Sequence, residues 1–341
     1  MIVFAVLLPS RFAAGFHDGS VARCDGCHVT HQSRDGQPPT VIVSGELLRG
    51  ASPSEVCLTC HANTLGRVMG GDPVAPPPEL GAGNFVFLLE DSLNDGADAL
   101  TRPIPGDAAG HNLVAPAWGL TADSQFAVSP GGAFPANQMG CTSCHNPHGG
   151  GTFRLLNGTG PVQGSLYSFT NAAPRGEGLP LRGAVESRTL HTAYQGGVSA
   201  WCGNCHDPRF HDRYATARFQ DHPTDEILDV DRRDTYNRYN GTGDPAGGMA
   251  TTAYLPEVPF EDLSATTTST AGPGGGARIM CLTCHRAHAS SAPSAGRWDF
   301  NVAVLGQDGI ASGSYPIPNP YSDPAQAQLC RKCHPWDFGG P

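Results

Sequence analysis

The sequence predicts a mostly irregular fold, with few short helices and minimal strand, whose core is not supplied by the chain alone. Three observations predict it. Of the 341 residues, 44 are glycine and 30 are proline, too many for a regular helical bundle or a tightly laddered sheet. Charged residues make up only 15% of the chain and aromatic residues 8%. The 12 cysteines, finally, occur in pairs of a single form.

Every cysteine pair reads C-x-x-C-H, the attachment signature of c-type haem. Two thiols about one turn apart can form thioethers with the two vinyl groups of a porphyrin, and the next histidine then coordinates the iron. The predicted haem-attaching cysteines are Cys24, Cys27, Cys57, Cys60, Cys141, Cys144, Cys202, Cys205, Cys281, Cys284, Cys330 and Cys333. The predicted proximal iron ligands are His28, His61, His145, His206, His285 and His334.

Other interpretations of the cysteine pairs explain less. Structural zinc sites would leave the adjacent histidines unexplained, and a thioredoxin-like pair normally occurs once, in a βαβ context. Because the motifs use every cysteine, the sequence predicts six covalently bound haem c groups. A chain of six stacked haems would then form most of the core of a multihaem cytochrome c, and the haem-free chain would be largely unfolded.

The first residues resemble an export signal. The apolar run 2–8 precedes small residues at 13–15, which predicts a signal peptide over 1–15 and a single hexahaem domain over 16–341. A short buried strand is the alternative. The usual basic segment is missing, which leaves open whether residue 1 is the true start. No later run reaches the about 18 apolar residues of a membrane span, so the mature protein is expected to be secreted and not membrane-embedded.

The formal net charge of −10 excludes the haem propionates, which would make the protein more acidic still. Nucleic acid and anionic membranes are therefore poor partners, whereas a cationic partner or a mineral surface reached through metal ions is easier to accommodate.

The sixth coordination position of each iron is expected to be filled by histidine. Of the 14 histidines, eight lie outside the motifs, whereas the five methionines have no suggestive context. Three of the eight, His31, His148 and His288, follow a proximal histidine by three residues. Residues i and i+3 of a helical turn share a face, but the two axial ligands of one iron approach from opposite faces. Each of these three histidines must therefore bind another iron, or none.

The remaining histidines have weaker context. His111 and His222 lie in turn-like sequence, and His17 would anchor the start of the mature chain as a distal ligand. His211 is a reserve candidate. His191 is expected to lie on the surface or to contact a propionate. Among secondary-structure elements, we expect short helical turns around the motifs and short strands over 41–45 and 85–89.

Several blocks resemble a known family. Residues 15–31, 110–116, 129–150, 198–211, 281–290 and 328–334 resemble the OmcS-type outer-surface hexahaem c-type cytochromes, secreted bacterial proteins that polymerise into extracellular filaments. The resemblance implies bis-histidine haems in a continuous chain, alternating between parallel-stacked and T-shaped contacts. It supports His17, His111, His148, His222 and His288 as distal ligands. Regions 62–109 and 212–280 do not match closely.

The resemblance also assigns His31 a role. It implies that His31 leaves its own subunit and binds the haem of the next subunit that is held by Cys281, Cys284 and His285. A head-to-tail contact of this kind generates an open filament.

The predicted function is extracellular electron transfer without catalysis. Upstream cytochromes would donate electrons to the filament, and metal oxides or partner cells would accept them. A soluble periplasmic or extracellular carrier, with His31 bound within its own chain, is the first alternative. A multihaem reductase is the second, but it needs an iron with a vacant position, whereas all six motifs are standard and ligands are in excess.

Overall fold

A computed structural model describes residue 17 and residues 24–29, 47–62, 68–72, 81–91, 93–94, 103–163, 166–179, 185–206, 224–308 and 317–334. The mostly irregular fold class is confirmed: within these residues no α-helix is longer than nine residues and no strand is longer than four. The predicted signal peptide and the predicted strand over 41–45 lie outside the described residues.

Most of the described α-helices carry a haem motif. The helices are α1 Cys24–Cys27, α2 Pro53–His61, α3 Cys141–Cys144, α4 Val198–Cys202, α5 Val230–Arg238 and α6 Cys281–Cys284. Only α5 lacks motif cysteines, and the sixth motif begins on the 3-10 helix Leu329–Lys332. The helical turns expected around the motifs are therefore present at all six.

Helix α2 shows why such short helices form. Ser52 is its N-cap and accepts a hydrogen bond from the Glu55 amide at 3.2 Å, while Pro53 fills the first helical position, where no amide donor is needed. The helix ends at the haem histidine, His61.

The strands pair as three separate antiparallel hairpin-like units. They are β1 Leu93–Asn94, β2 Pro103–Ile104, β3 Gly160–Val162, β4 Tyr167–Phe169, β5 Arg175–Glu177 and β6 Ala193–Gly196, paired β1 with β2, β3 with β4 and β5 with β6. Short 3-10 helices occupy Phe85–Leu89, Gly106–Ala108, Pro116–Trp118, Ala136–Gln138, Phe153–Leu155, Ala250–Thr252, Pro293–Ala295 and Leu305–Gln307.

The strand predicted over 85–89 is wrong, because Phe85–Leu89 is a 3-10 helix. The side chain of Asn84 accepts a hydrogen bond from the Val86 amide at 3.0 Å and so starts a helical turn. Asn84 also accepts from the Gly70 amide at 2.9 Å, which ties the turn to a distant segment. In an apolar run this short, the spacing of the residues cannot distinguish a strand from a buried helical turn.

Two apolar clusters of the chain flank the motif cysteines. One contains Leu58, Phe87 and Leu113 and packs against Cys141. The other contains Tyr236, Leu255 and Trp298 and packs against Cys284, Cys330 and Cys333. Several sites of haem attachment thus lie at the edges of the chain's own apolar clusters. None of the helices described is both long and apolar enough to cross a membrane.

Candidate haem sites

The proximal histidines leave their helices in a common conformation. In α3 and α6 the residue after the second cysteine turns into extended backbone, with φ/ψ of −114°/141° at His145 and −113°/161° at His285. Its amide still donates to the carbonyl of the first cysteine, at 2.9 Å for His145 and 3.0 Å for His285. The two thiols and the imidazole are thereby held on one compact turn.

Backbone carbonyl oxygens orient the imidazoles. The Nδ1 atom of His145 lies 2.9 Å from the Arg154 oxygen, that of His285 lies 2.9 Å from the Ser294 oxygen, and that of His206 lies 3.0 Å from the Pro130 oxygen. A carbonyl can only accept, so Nδ1 carries the proton in each neutral ring. The Nε2 lone pair is then available to iron, the usual arrangement of a metal-binding histidine.

The carbonyls beside His145 and His285 belong to straps, segments that run back across the motif. Their first residues have left-handed backbone, with φ of 54° at Arg154 and 58° at Ser294. Each strap is held by paired backbone hydrogen bonds. The bonds are Asn146 N to Leu155 O and Asn157 N to Cys144 O in one strap, and Arg286 N to Ala295 O and Arg297 N to Cys284 O in the other.

The first motif has the same strap. Val29 N donates to Leu47 O at 2.6 Å and Arg49 N donates to Cys27 O at 2.9 Å, while Leu47 has a φ of 50°. The three strapped motifs are those whose sequences continue to a second histidine, at positions 31, 148 and 288. No such strap is present at the other three motifs among the described residues, and these motifs are here called unstrapped. The two kinds alternate along the sequence.

Unstrapped and strapped motifs lie together in pairs. The hydroxyl oxygen of Ser54, three residues before Cys57, accepts a hydrogen bond from the Cys141 amide at 3.1 Å. The hydroxyl of Ser199, three residues before Cys202, accepts from the Cys281 amide at 3.0 Å. Helix α2 thus contacts α3 in the same way that α4 contacts α6.

The leading cysteines of each pair are in contact. A hydrogen bond between the thiols raises the pKa of Cys57 and lowers that of Cys141, and the same contact raises the pKa of Cys202 and lowers that of Cys281. These sulfurs are thioethers once haem is attached, so the shifts describe the haem-free chain. Because these cysteines touch, haems held by the two motifs of a pair would be attached side by side.

The structure brings four histidines outside the motifs close to four motif histidines. The ring-centre distances are 6.0 Å for His17–His61, 6.0 Å for His28–His148, 5.8 Å for His111–His206 and 6.5 Å for His145–His288. With metal–nitrogen bonds of about 2 Å, two imidazoles that bind one metal ion from opposite sides have ring centres about 6 Å apart. All four pairs therefore have the spacing of a bis-histidine haem.

The protein surroundings favour the form of histidine that binds iron. Desolvation lowers the pKa of His288 to about 3 and that of His111 to about 4, with the neighbouring imidazoles His145 and His206 as the second cause. Neutral imidazole is the ligand for a metal, so these side chains are ready to bind iron without losing a proton at neutral pH.

Four histidines outside the motifs remain. The predicted distal ligands His31 and His222 and the reserve candidate His211 lie outside the described residues. His191 is not on the surface as expected, since its side chain is only 2% exposed. Its Nδ1 lies 3.0 Å from the Thr192 oxygen and its Nε2 lies 2.8 Å from the Ser269 oxygen, while its ring stacks on Tyr254 at 3.6 Å. Both nitrogens face carbonyls, so neither is directed at an iron.

The last motif contains a buried cation that the sequence does not predict. Lys332 lies between Cys330 and Cys333 and is 1% exposed. Its Nζ donates to the Tyr239 oxygen at 3.0 Å, and burial lowers its pKa to about 7. The sequence C-R-K-C-H has no pattern that predicts the burial of Lys332 rather than of its neighbour Arg331.

Comparison with known proteins agrees with this geometry. A family model described as a doubled CXXCH motif matches residues 134–162, around the third motif. The chain is 29% identical over 363 residues to the C-type cytochrome OmcS of Geobacter sulfurreducens, covering 88% of this chain and 83% of that protein. Its six haem motifs and this similarity make the chain a multihaem c-type cytochrome.

Solved structures support the same relationship. The outer membrane cytochrome S filament of Geobacter sulfurreducens superposes with a TM-score of 0.78 and 26% identity, over 94% of this cytochrome and 99% of that chain. The OmcS nanowires of the same organism, determined by cryo-EM, superpose with a TM-score of 0.74 at the same identity and coverage. The covalent attachment of c-type haem follows from the motifs together with this similarity.

Proposed function

We propose that this cytochrome carries electrons outside the cell, as a polymer in which each protomer contributes six bis-histidine haems to a continuous chain. The observation that carries the proposal is the set of four imidazole pairs with the spacing of a bis-histidine haem. An iron ligated on both sides exchanges electrons without binding a substrate, so we assign no catalytic residue. The similarity to the OmcS filament over 99% of its chain supports the polymer.

The paired motifs support a continuous path for electrons. Two haems attached at touching cysteines, Cys57 with Cys141 or Cys202 with Cys281, lie side by side. The histidines at the three-residue offset connect one motif pair to a haem of another pair. His288, for example, lies three residues after His285, but its ring lies opposite that of His145. Each short segment thus holds two irons, which keeps the haems of successive pairs close.

We further propose that His31 binds the haem of Cys281, Cys284 and His285 in the next protomer. The support is a regularity among the strapped motifs. His148 lies opposite His28 and His288 lies opposite His145, so each second histidine serves the strapped motif that precedes its own. Continuing this series from one chain to the next pairs His31 with His285.

A second regularity supports a position for the last motif. Unstrapped motifs at Cys57 and Cys202 each pair with the strapped motif that follows. The unstrapped motif at Cys330 would then pair with the strapped motif at Cys24 of the following protomer. Two independent regularities give the same head-to-tail order, a type of contact that repeats into a filament when its rotation does not close a ring.

His222 is proposed as the distal ligand of the last motif, with His211 in reserve, because four other candidates lie opposite other motif histidines and His31 is assigned to the next protomer. The partners outside the polymer would be upstream cytochromes and extracellular acceptors such as metal oxides or partner cells, at the outer cell surface. Nucleic acid is not proposed as a partner, because the net charge is −10 before haem is added.

Electron microscopy of the haem-loaded protein tests the polymer. Wild-type protein, His31→Ala and His148→Ala are compared, since both histidines have the same offset but only His31 is proposed to bind across the junction. We expect filaments for wild type and for His148→Ala, and monomers or short particles for His31→Ala. Each variant should show one high-spin haem.

Other outcomes would change the conclusion. Filaments of ordinary length in His31→Ala would refute the inter-protomer bond. Monomeric wild-type protein with all haems low-spin would instead make the molecule a soluble electron carrier, with His31 bound inside its own chain.

A further inference from the structure

A cavity of about 260 Å³ lies beside the last haem motif and has a cationic lining. Its polar lining residues include Arg188, Lys332, Thr189, Asn240 and Tyr239. Among the described residues, the lining includes no aspartate, glutamate, motif cysteine or motif histidine. At about 30 Å³ per water molecule, the cavity has room for a small ion together with several waters.

Lys332 brings a buried charge to this cavity. An ammonium group has three donors, and the Lys332 Nζ uses one of them on the Tyr239 oxygen at 3.0 Å. The same atom lies 4.5 Å from the ring centre of Tyr236, which gives a cation–π contact. No carboxylate lies within ion-pair distance of it among the described residues. A buried ammonium without a counter-ion is costly, so an anion bound beside it would stabilise the charged form of Lys332.

Arg188 is the second cation. Its Nη2 donates to the Pro320 oxygen at 3.0 Å, and its guanidinium carbon lies 5.3 Å from the Tyr321 ring centre. Lys332 Nζ lies 5.9 Å from the same ring, so two positive groups flank one tyrosine. One carboxylate that Arg188 affects is that of Glu257: burial raises the Glu257 pKa, and Arg297, Arg286 and Arg188 oppose the rise. Glu257 does not line the cavity.

We propose that this cavity binds a small oxyanion, a phosphate or carboxylate, between Arg188 and Lys332. The guanidinium fork can hold two oxygens of such a group, and the ammonium supplies a point charge from the buried side. A carboxylate could come from solution or from a propionate of the haem attached at Cys330 and Cys333, and the same residues would bind either.

The test uses haem-loaded protein freed of phosphate, titrated with inorganic phosphate in a calorimeter. Wild type is compared with Lys332→Met, Arg188→Gln and Arg331→Met. Methionine suits the aromatic surroundings of Lys332, and replacing a buried charge by an apolar side chain is often tolerated. Arg331→Met removes the same charge one residue away, outside the cavity lining. The Soret spectrum checks that each variant carries all its haems.

For a site filled from solution, wild type and Arg331→Met bind phosphate, while Lys332→Met and Arg188→Gln bind at least tenfold more weakly, as the loss of a charge-assisted hydrogen bond predicts. For a site filled by the propionate, phosphate binds to none of them. Lys332→Met and Arg188→Gln then shift the reduction midpoint of one haem, and Arg331→Met does not. If phosphate does not bind and the midpoints of all variants match wild type, the proposal is overturned.

Discussion

The ring of His288 lies opposite that of His145, with 6.5 Å between the ring centres, although His288 follows His285 by three residues. The segment between His285 and His288 is well supported. The His288 amide donates to the Ala82 oxygen at 2.8 Å, and the Phe85 ring stacks on the His288 imidazole at 4.5 Å. This four-residue segment therefore carries two imidazoles that we propose as ligands of different haems, an arrangement that would limit variation in the distance between those haems.

Removing this imidazole should change one haem only. In His288→Ala we expect one sixth of the haem to become high-spin and to bind carbon monoxide, because the iron at His145 loses its sixth ligand. Electron paramagnetic resonance and the carbon monoxide difference spectrum measure the fraction.

His191→Phe is the matched control, since it also removes a histidine outside the motifs. Both nitrogens of His191 face carbonyls, so the variant should keep six low-spin haems even if it is less stable. A high-spin haem in His191→Phe, or none in His288→Ala, would contradict the assignment.

The two serine hydroxyls at the paired motifs should contribute equally to stability. Ser54→Ala and Ser199→Ala each leave a cysteine amide, at Cys141 or Cys281, without its acceptor. Both serines are less than 10% exposed, so water cannot easily replace the hydroxyl. We expect each variant to lose about 1–3 kcal/mol of unfolding free energy.

Guanidinium unfolding of the haem-loaded protein, followed by far-ultraviolet circular dichroism, measures the two losses. Ser322→Ala changes an exposed serine and should leave the midpoint within about 0.5 kcal/mol of wild type. Losses as small as that in Ser54→Ala and Ser199→Ala would show that these hydroxyls do not hold the helix pairs together.

The local chemistry of the haem sites was predictable from the sequence, because attachment depends on residues next to one another. The C-x-x-C-H spacing predicts thioethers and a proximal ligand, and the covalently bound haems agree with the similarity to OmcS. The short helices around the motifs were predictable for the same reason. Even the restriction on His148 and His288 follows from a local fact, namely that i and i+3 share a face of a helical turn.

Long-range contacts were not predictable. Which iron faces His148 depends on how His28 packs against a segment far along the chain. The straps also lack a fixed spacing, since Leu155 and Ala295 lie nine residues after the amide that they bond, whereas Leu47 lies 18 residues after Val29. His191 was misjudged because its partners Tyr254 and Ser269 come from another part of the chain.

The straps contain backbone strain that a glycine should relieve. Ser294 has φ/ψ of 58°/32° and an exposed side chain, and its carbonyl accepts from His285. A side chain in left-handed backbone costs about 1–2 kcal/mol. Ser294→Gly should therefore raise the unfolding free energy by about 1 kcal/mol, and Ser294→Val should lower it by a similar amount because its side chain is β-branched.

Thermal or guanidinium unfolding of the two Ser294 variants shows directly whether each substitution raises or lowers the unfolding free energy. If glycine destabilises the protein as much as valine does, the strap conformation is not maintained in solution. The Soret spectrum should be the same in both variants, because the carbonyl that orients His285 is part of the backbone.

Glu261 should make the stability of the protein depend on pH. Its side chain is 1% exposed, its Oε1 accepts from the Val198 amide at 2.6 Å at the start of α4, and its Oε2 has no hydrogen-bond partner among the described residues. Burial raises the pKa of Glu261 above its ordinary value of 4.5. Nearby Asp225 adds to the rise, and Arg278 opposes it. Between the unfolded and folded pKa values the folded protein binds more protons, so this contribution to stability is lost as pH increases.

Glu261→Gln keeps an oxygen that can accept from Val198 but cannot ionise. Relative to wild type, the variant should gain stability as pH rises from about 4.5 to 8, by about 1.4 kcal/mol for each unit by which folding raises the pKa. Guanidinium midpoints across this range measure the difference, and Glu177→Gln, which removes a carboxylate from the exposed face of β5, corrects for net charge. Parallel curves for Glu261→Gln and wild type would mean that Glu261 titrates in the folded protein as it does in the unfolded chain.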